Sequence, residues 1–292
     1  MTPKEHNDKG DNEVTSLDVE ELGGNVSQEN SYSNKEVPVT EAMLFKAIAW
    51  ETKFKTKKKE SAEEVDEVMA NVTHLKLHDL SLTRVDDLSK FKSLKNLYLY
   101  DNKISHIGTL APCQSLTHLY LQNNRLGSTE MIQSLPQLKK LYVDCNCISR
   151  VSGLYGCSAL EELHISDQDL EPGLSLEFNN GSLTSIGPSL KIFIAQGNNI
   201  KEVSKLANLT ELEEADLSRN DIKDSESLKE MFDKCKQLKK LSLLSNPVCK
   251  TSRGIEAEAI LTCTSLEEFN NKEISDQKRK CIQVMSTRKT KK

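Results

Sequence analysis

Three tyrosines, Tyr98, Tyr120 and Tyr142, recur at intervals of 22 residues, and His164 continues the series one interval later. At matching offsets stand Tyr100, Asp101, Gln122, Asp144 and Asp216. Aromatic rings with polar tips beside carboxylates suit the gripping of another protein: they offer large contact area and lose little side-chain entropy. The same residues also suit plain packing across a β surface. Four clustered tyrosines (98, 100, 120, 142) in a chain only 5 % aromatic favour recognition. Signals of catalysis do not accompany them. His74, His78, His118 and His164 alternate with lysine, tyrosine and glutamate, in no carboxylate–histidine–nucleophile order. Neither G-x-x-x-x-G-K-[ST] nor G-x-S-x-G occurs. Cys145 and Cys147 form a lone C-x-C without a second pair at zinc spacing. The expectation is a non-enzyme with no cofactor and no metal.

Whether these side chains meet depends on the backbone that carries them. LKNLYLYDNKI (94–104), LTHLYLQNNRL (116–126) and LKKLYVDCNCI (138–148) share the spelling Leu-x-x-Leu-x-Leu/Val-x-x-Asn-x-Leu/Ile. Such units begin at Val72, Leu94, Leu116, Leu138, Leu160, Leu190, Leu212 and Leu238. A short leucine-rich unit at a fixed period of about 20–29 residues is the mark of a leucine-rich-repeat solenoid. The predicted fold is therefore α/β: a right-handed solenoid of about eight 22-residue repeats with helical caps at both ends. Positions 1, 4, 6 and 11 of each unit point inward; positions 3, 5, 7 and 8 face out over a concave wall. The tyrosines occupy position 5 and should form a ladder.

Position 9 is Asn102, Asn124, Asn146, Asn198, Asn220 and Asn246, with Leu80 and Gln168 reading as breaks. An inward amide there can satisfy loop backbone groups of its neighbours. The return half of each unit is too short for a full α-helix, which predicts 3₁₀ or irregular structure. A 30-residue gap between Leu160 and Leu190 marks an insert, with Leu183 and Ile186 expected to refill the core.

Composition bounds the rest. The chain of 292 residues carries a net charge of -5, so no global basic field points to nucleic acid. No apolar run approaches the roughly 18 residues of a membrane span. The N-terminus has no apolar signal region, so a cytoplasmic setting with reduced cysteines is expected. Cys113, Cys157 and Cys235 each precede a unit's first leucine by three residues, a recurring core slot. Residues 1–40 read as a disordered acidic tail. Residues 41–71 read as a helical cap built on Met43, Leu44, Ala47 and Ile48, then on a helix opened by the capping box Ser61-x-x-Glu64. Residues 72–249 form the solenoid, and 250–275 a second cap on Ile255, Ala259, Ile260 and Cys263. Residues 276–292 read as a disordered basic tail. Lys46, Ile48 and Trp50 also spell basic-x-[Val/Ile]-x-[Phe/Trp], a phosphatase docking pattern that works by strand addition. The same residues fit the cap helix, where the pattern would be unavailable.

The 22-residue unit, with NLYLYDNKIS, LTHLYLQNNRL, the fifth-repeat insert and the closing NPVC, resembles the protein-phosphatase-1-binding leucine-rich-repeat class over residues 43–275. The resemblance implies a regulatory or targeting subunit that binds the phosphatase catalytic subunit. It also implies association with tubulin or centrosomal proteins at centrosomes and microtubules. Tyr98, Tyr100, Asp101, Tyr120, Gln122, Tyr142, Asp144, His164 and Asp216 would then face the partner. The alternative is a structural adaptor of cilia, similar in build to axonemal dynein leucine-rich light chains, with no phosphatase contact.

Overall fold

The computed structural model describes residues 36–52, 62–252 and 254–289. The expected acidic segment up to residue 35, Ser61 of the capping box and the last three residues of the expected basic tail lie outside these residues. Eight parallel strands run along one wall: β1 (His74–Lys76), β2 (Asn96–Tyr98), β3 (His118–Tyr120), β4 (Lys140–Tyr142), β5 (Glu162–His164), β6 (Ile192–Ile194), β7 (Glu214–Asp216) and β8 (Lys240–Ser242). Neighbouring strands pair in strict register, so Tyr98 lies opposite Tyr120 and Tyr120 opposite Tyr142. The leucine phase sets this register, because a slip of one residue would turn every apolar side chain outward. Positions 1, 4 and 6 of all eight units are buried, from Val72, Leu75 and Leu77 to Leu238, Leu241 and Leu243.

The ninth-position amides stitch the stack together. Asn146 donates to the carbonyls of Leu121 and Val143 (2.9 and 3.0 Å) and accepts from the Leu126 amide at 2.9 Å. Asn124 does the same one unit earlier with Leu99, Leu121 and Ile104. Each amide thus binds its own loop and the loop of the preceding unit. Gln168, which the spelling reads as a break, continues the ladder. It donates to Val143 and Ser166 and accepts from Ile148, because its longer stem still brings the amide to the same slot. Leu80 is a true departure, with a simple reason: the first unit has no predecessor to bind, so an apolar side chain packed on the core serves there.

The returns differ from expectation where the period lengthens. Glu130–Ile132 and Ser204–Asn208 are 3₁₀ turns, as a 22-residue unit allows. The 26-residue unit beginning at Leu212 instead fits a ten-residue α-helix, Ser225–Lys234, capped by Asp224 through the amides of Glu226 and Ser227. The 30-residue unit carries the helix Asn180–Ile186, with Asn179 as its N-cap and Leu183 and Ile186 fully buried.

At the N-terminal end, helix α1 (Glu41–Thr52) packs against β1, burying Ala47 and Ile48. Helix α2 (Ala62–Asn71) buries Met69. Residues 36–39, assigned by composition to the acidic tail, are in fact placed. Pro38 bridges Arg84, Val37 exchanges hydrogen bonds with Thr83, and Glu36 pairs with the Arg84 guanidinium at 2.9 Å. Two valines at 37 and 39 pack on the core, enough apolar contact to offset their ordering.

At the other end, Ile255–Thr262 is helical and buries Ile255, Ala259 and Ile260. Cys263 lies three residues before Leu266, so the cysteine phase runs one unit further than the asparagines do. β9 (Glu268–Phe269) adds in parallel to β8, and β10 (Lys272–Glu273) turns back antiparallel to finish the sheet. A reversed, two-residue, charged last strand blunts an edge that would otherwise template aggregation. The segment after it is ordered, contrary to the expectation of a disordered tail. Asp276–Lys289 forms a helix held by Arg279, which donates to the carbonyls of Ile260 and Leu266, and by a Lys278–Glu256 pair at 2.6 Å. Charge patterning alone missed it because these anchors are long-range.

Replacing Asn146 by Ala leaves the Leu126 amide without a partner inside the stack and takes one of two donors from each of the carbonyls of Leu121 and Val143. The expected cost is roughly 1–3 kcal/mol, read as a lower urea midpoint with an unchanged slope.

Candidate functional site

The wall bearing positions 5 and 7 gathers the tyrosines named from the sequence. Tyr98 and Tyr120 stack at 4.9 Å between ring centroids and 4° between planes; Tyr120 and Tyr142 stack at 5.0 Å and 14°. These distances match the roughly 4.8 Å spacing of paired strands, so the ladder follows directly from the register. Position 7 begins a second, shorter stack, with His78 on Tyr100 at 4.6 Å and 10°. Stacking leaves all four tyrosines half-buried rather than fully exposed.

The ladder ends in a polar knot. Tyr142 donates its hydroxyl to Glu162 Oε1 at 2.6 Å, and His164 Nε2 lies 2.8 Å from the same oxygen. The His164 ring is tilted by 44° against Tyr142 at 4.4 Å. Lys140 completes the group with its ammonium 2.8 Å from Glu162 Oε2. Burial and the Glu162 carboxylate together raise Tyr142 above the ordinary phenol range. For Glu162, burial pulls upward, but the hydrogen bonds from Lys140 and Tyr142 prevail and hold it below the ordinary carboxylate range. His118 is lowered, first by burial and then by the nearby Lys140 charge. Lys140 and Glu162 sit at position 3. Charges recur at this offset in the sequence (Lys140, Glu162, Glu214, Lys240), which was the available signal for this group.

The carboxylates behave individually. Asp101 accepts from Asn123 Nδ2 at 2.6 Å, Asp144 from the Ser166 amide at 2.7 Å and Asp216 from the Ser218 amide at 2.9 Å. Gln122 lies beside Tyr100 and Asp144. Asp216 is set apart from the tyrosines by β5 and β6. Lys46 is exposed on α1, whereas Ile48 is 1 % exposed and Trp50 belongs to the same helix. Strand addition through these three residues needs an extended backbone that this helix does not provide. An open cavity of about 1040 Å³ separates α1 from the first two units, lined by Met43, Ala47, Lys76, His78, Leu80 and Tyr98 among others.

One backbone feature escaped the sequence reading. Position 8 adopts positive φ in every unit: Asp79, Asp101, Asn123, Cys145, Asp167, Gly197, Arg219 and Ser245, between 51° and 70°. Five of the eight are Asp, Asn or Gly, the residues that tolerate this region best. The composition of that column was the available signal. The turn throws the chain from the wall into the loop and aims position 8 along its lower rim. There Arg219 reaches across Gly197 to pair with Asp167 at 2.8 and 2.9 Å, a contact spanning two units. A methyl on Gly197 would collide with Asp167 Oδ1.

Among the described residues, no group of three or more His, Cys, Asp or Glu side chains comes together as a metal site, and no helix is long and apolar enough to cross a membrane. Burial pushes the core thiols Cys113 and Cys157 up to about 11, so both are poor nucleophiles.

Comparison with known proteins agrees with this architecture. Two family models match: "Leucine rich repeat" over residues 70–126 and "Leucine Rich repeats (2 copies)" over residues 114–156. Among solved structures, an internalin of Listeria monocytogenes is similar at 19 % identity and a TM-score of 0.57, covering 78 % of this chain and 74 % of that one. Internalin C2 of the same organism gives 21 % and 0.56, covering 78 % and 91 %. A leucine-rich-repeat protein of Leptospira interrogans gives 19 % and 0.58; the match covers 72 % of this chain and about half of that one, 51 %. The chain folds as a leucine-rich-repeat protein.

Two measurements probe the site's construction. Glu162→Gln removes a negative charge beside Tyr142, so that phenol should ionise at lower pH in a tyrosinate absorbance titration, while its burial keeps it above the ordinary range. Gly197→Ala should cost about 1–2 kcal/mol, more than Arg219→Ala at under about 1 kcal/mol, because only the former strains the turn; thermal unfolding separates them.

Proposed function

We propose that this chain is a non-catalytic, protein-binding regulatory or targeting subunit whose concave wall grips the catalytic subunit of protein phosphatase 1 at centrosomal and microtubule structures. The observation that carries the protein-binding part is the ladder Tyr98–Tyr120–Tyr142, ordered by backbone register and left half-exposed on the strand wall. Pre-stacked rings have already lost the rotamer freedom that binding would otherwise remove. The leucine-rich-repeat fold supports the same role, since stacked units make an extended concave binding surface. The phosphatase assignment draws on the sequence resemblance, which within that class is to regulatory subunit 42, the testis leucine-rich-repeat protein. In this reading Tyr98, Tyr100, Asp101, Tyr120, Gln122, Tyr142, Asp144 and His164 form the contact area, and Asp216 marks its far margin.

Capture of the purified phosphatase catalytic subunit on immobilised full-length chain tests the assignment. Wild type should retain the phosphatase, and the triple substitution Tyr98→Ala, Tyr120→Ala, Tyr142→Ala should lose it by at least about tenfold, as expected for aromatic hot spots. Retention by the folded triple variant would move the contact off the ladder. No capture by wild type would overturn the phosphatase assignment.

A further inference from the structure

The tyrosine ladder of position 5 runs unbroken through three units, but the stack of position 7 stops after one pair. The row reads His78, Tyr100, Gln122, Asp144. His78 covers one side of the Tyr100 ring, and no aromatic ring follows on the other. At that interruption lies an open cleft of about 590 Å³ lined by Tyr98, Tyr100, Tyr120, Gln122, Asn123 and Asp144, with Cys145 at its margin.

The cleft's polar groups are mainly acceptors. Asp144 uses one carboxylate oxygen, Oδ1, on the Ser166 amide. Asn123 spends one of its two amide hydrogens on Asp101. Gln122 Oε1 is shielded from solvent and makes no hydrogen bond within the protein, an incomplete arrangement that a donor from outside would relieve. Ser166, which holds Asp144 and is 4 % exposed, likewise has an unpartnered Oγ. One carboxylate, Asp144, lines the space, and Asp101 is hydrogen-bonded to the lining residue Asn123; neither is ion-paired among the described residues, whereas Asp167 further along the rim already holds Arg219. Ring surface, spare acceptors and negative charge complement one side chain above all. A guanidinium is flat, stacks on aromatic rings and has five donors and no acceptor. An ammonium lacks the plane, and an anion meets carboxylates.

We infer that this cleft is a binding pocket for an arginine side chain presented by the partner protein, its guanidinium lying against Tyr100 and donating to Asp144 and Gln122. The inference rests on the protein-binding role of the concave wall and gives that role a specificity determinant. The charge pattern also fixes an orientation: the basic residue of the partner faces the lower rim, and its apolar surface faces the ladder.

The test is fluorescence anisotropy of the full-length chain with the labelled peptide Gly-Arg-Gly-Arg-Gly-Arg-Gly and its lysine and citrulline counterparts. The arginine peptide should bind saturably, the lysine peptide several-fold more weakly and the citrulline peptide at least about tenfold more weakly, since citrulline keeps the shape without the charge. Asp144→Asn and Tyr100→Leu should each weaken the arginine peptide by roughly five- to tenfold. Glu177→Gln, on the return side, should leave it unchanged. Circular dichroism and thermal unfolding confirm that each variant is folded; should Tyr100→Leu fail to fold, Asp144→Asn carries the comparison. Equal binding of the three peptides, indifference to Asp144→Asn or the absence of saturation would overturn the pocket. Phosphatase capture reports separately. Capture lost in the tyrosine triple variant without arginine-peptide binding removes the pocket and keeps the proposed function; arginine-peptide binding without capture does the reverse.

Discussion

The structure depends on one inward-facing amide in every unit after the first. A strand of three residues with a short return cannot bury its leucines or satisfy its loop backbone alone, so each unit is defined only against its neighbour. The ninth-position side chain enforces that relation: Asn146 donates to the carbonyls of Leu121 and Val143 and accepts from Leu126, spanning two successive loops. Because the bonds are directional and the groups are buried, a unit shifted by one residue would orphan several of them. Register is therefore held from the inside, and the outer wall inherits it. Tyr98, Tyr120 and Tyr142 stack because the amides beneath them stack.

That inheritance explains how much of the molecule could be read before any coordinates. The repeating leucines state which residues face inward, and period-two alternation then places Tyr98, Tyr120 and Tyr142 on the wall without further information. What the sequence hid falls into two kinds. Some features lie in a column whose residues vary although their backbone does not, as at position 8, where Asp, Asn, Cys, Gly, Arg and Ser share one left-handed turn. Others depend on side-chain length or distant anchors. Gln168 fills an asparagine slot because one extra methylene still reaches the Val143 carbonyl of the preceding unit and the Ser166 carbonyl of its own, and the C-terminal helix is fixed by Arg279 binding residues 13 and 19 positions away. Local propensity carries no record of such contacts.

The wall is not uniform, and its asymmetry has physical meaning. From β2 to β4 position 5 carries tyrosines, with a spare acceptor at Gln122. Further along, outward charges pair with one another: Lys240 with Glu214, Arg219 with Asp167, Glu162 with Lys140 and His164. Paired surface charges are solvated and add little to binding, whereas half-buried rings and unpaired acceptors gain by being covered. Helix α1 lies beside the aromatic end, where it borders the larger cavity next to Tyr98 and Tyr100. A partner would therefore engage the N-terminal half of the wall and find α1 at its edge.

The central claim is that the ordered aromatic wall is the surface this protein presents to its partner. Hydroxyl-radical footprinting of the full-length chain, alone and with the phosphatase catalytic subunit, tests it most directly. On this account Tyr98, Tyr100 and Tyr120 become protected in the complex, while Tyr155, 56 % exposed on the return side, keeps its reactivity. Protection of Tyr155 with the three wall tyrosines unchanged would contradict it.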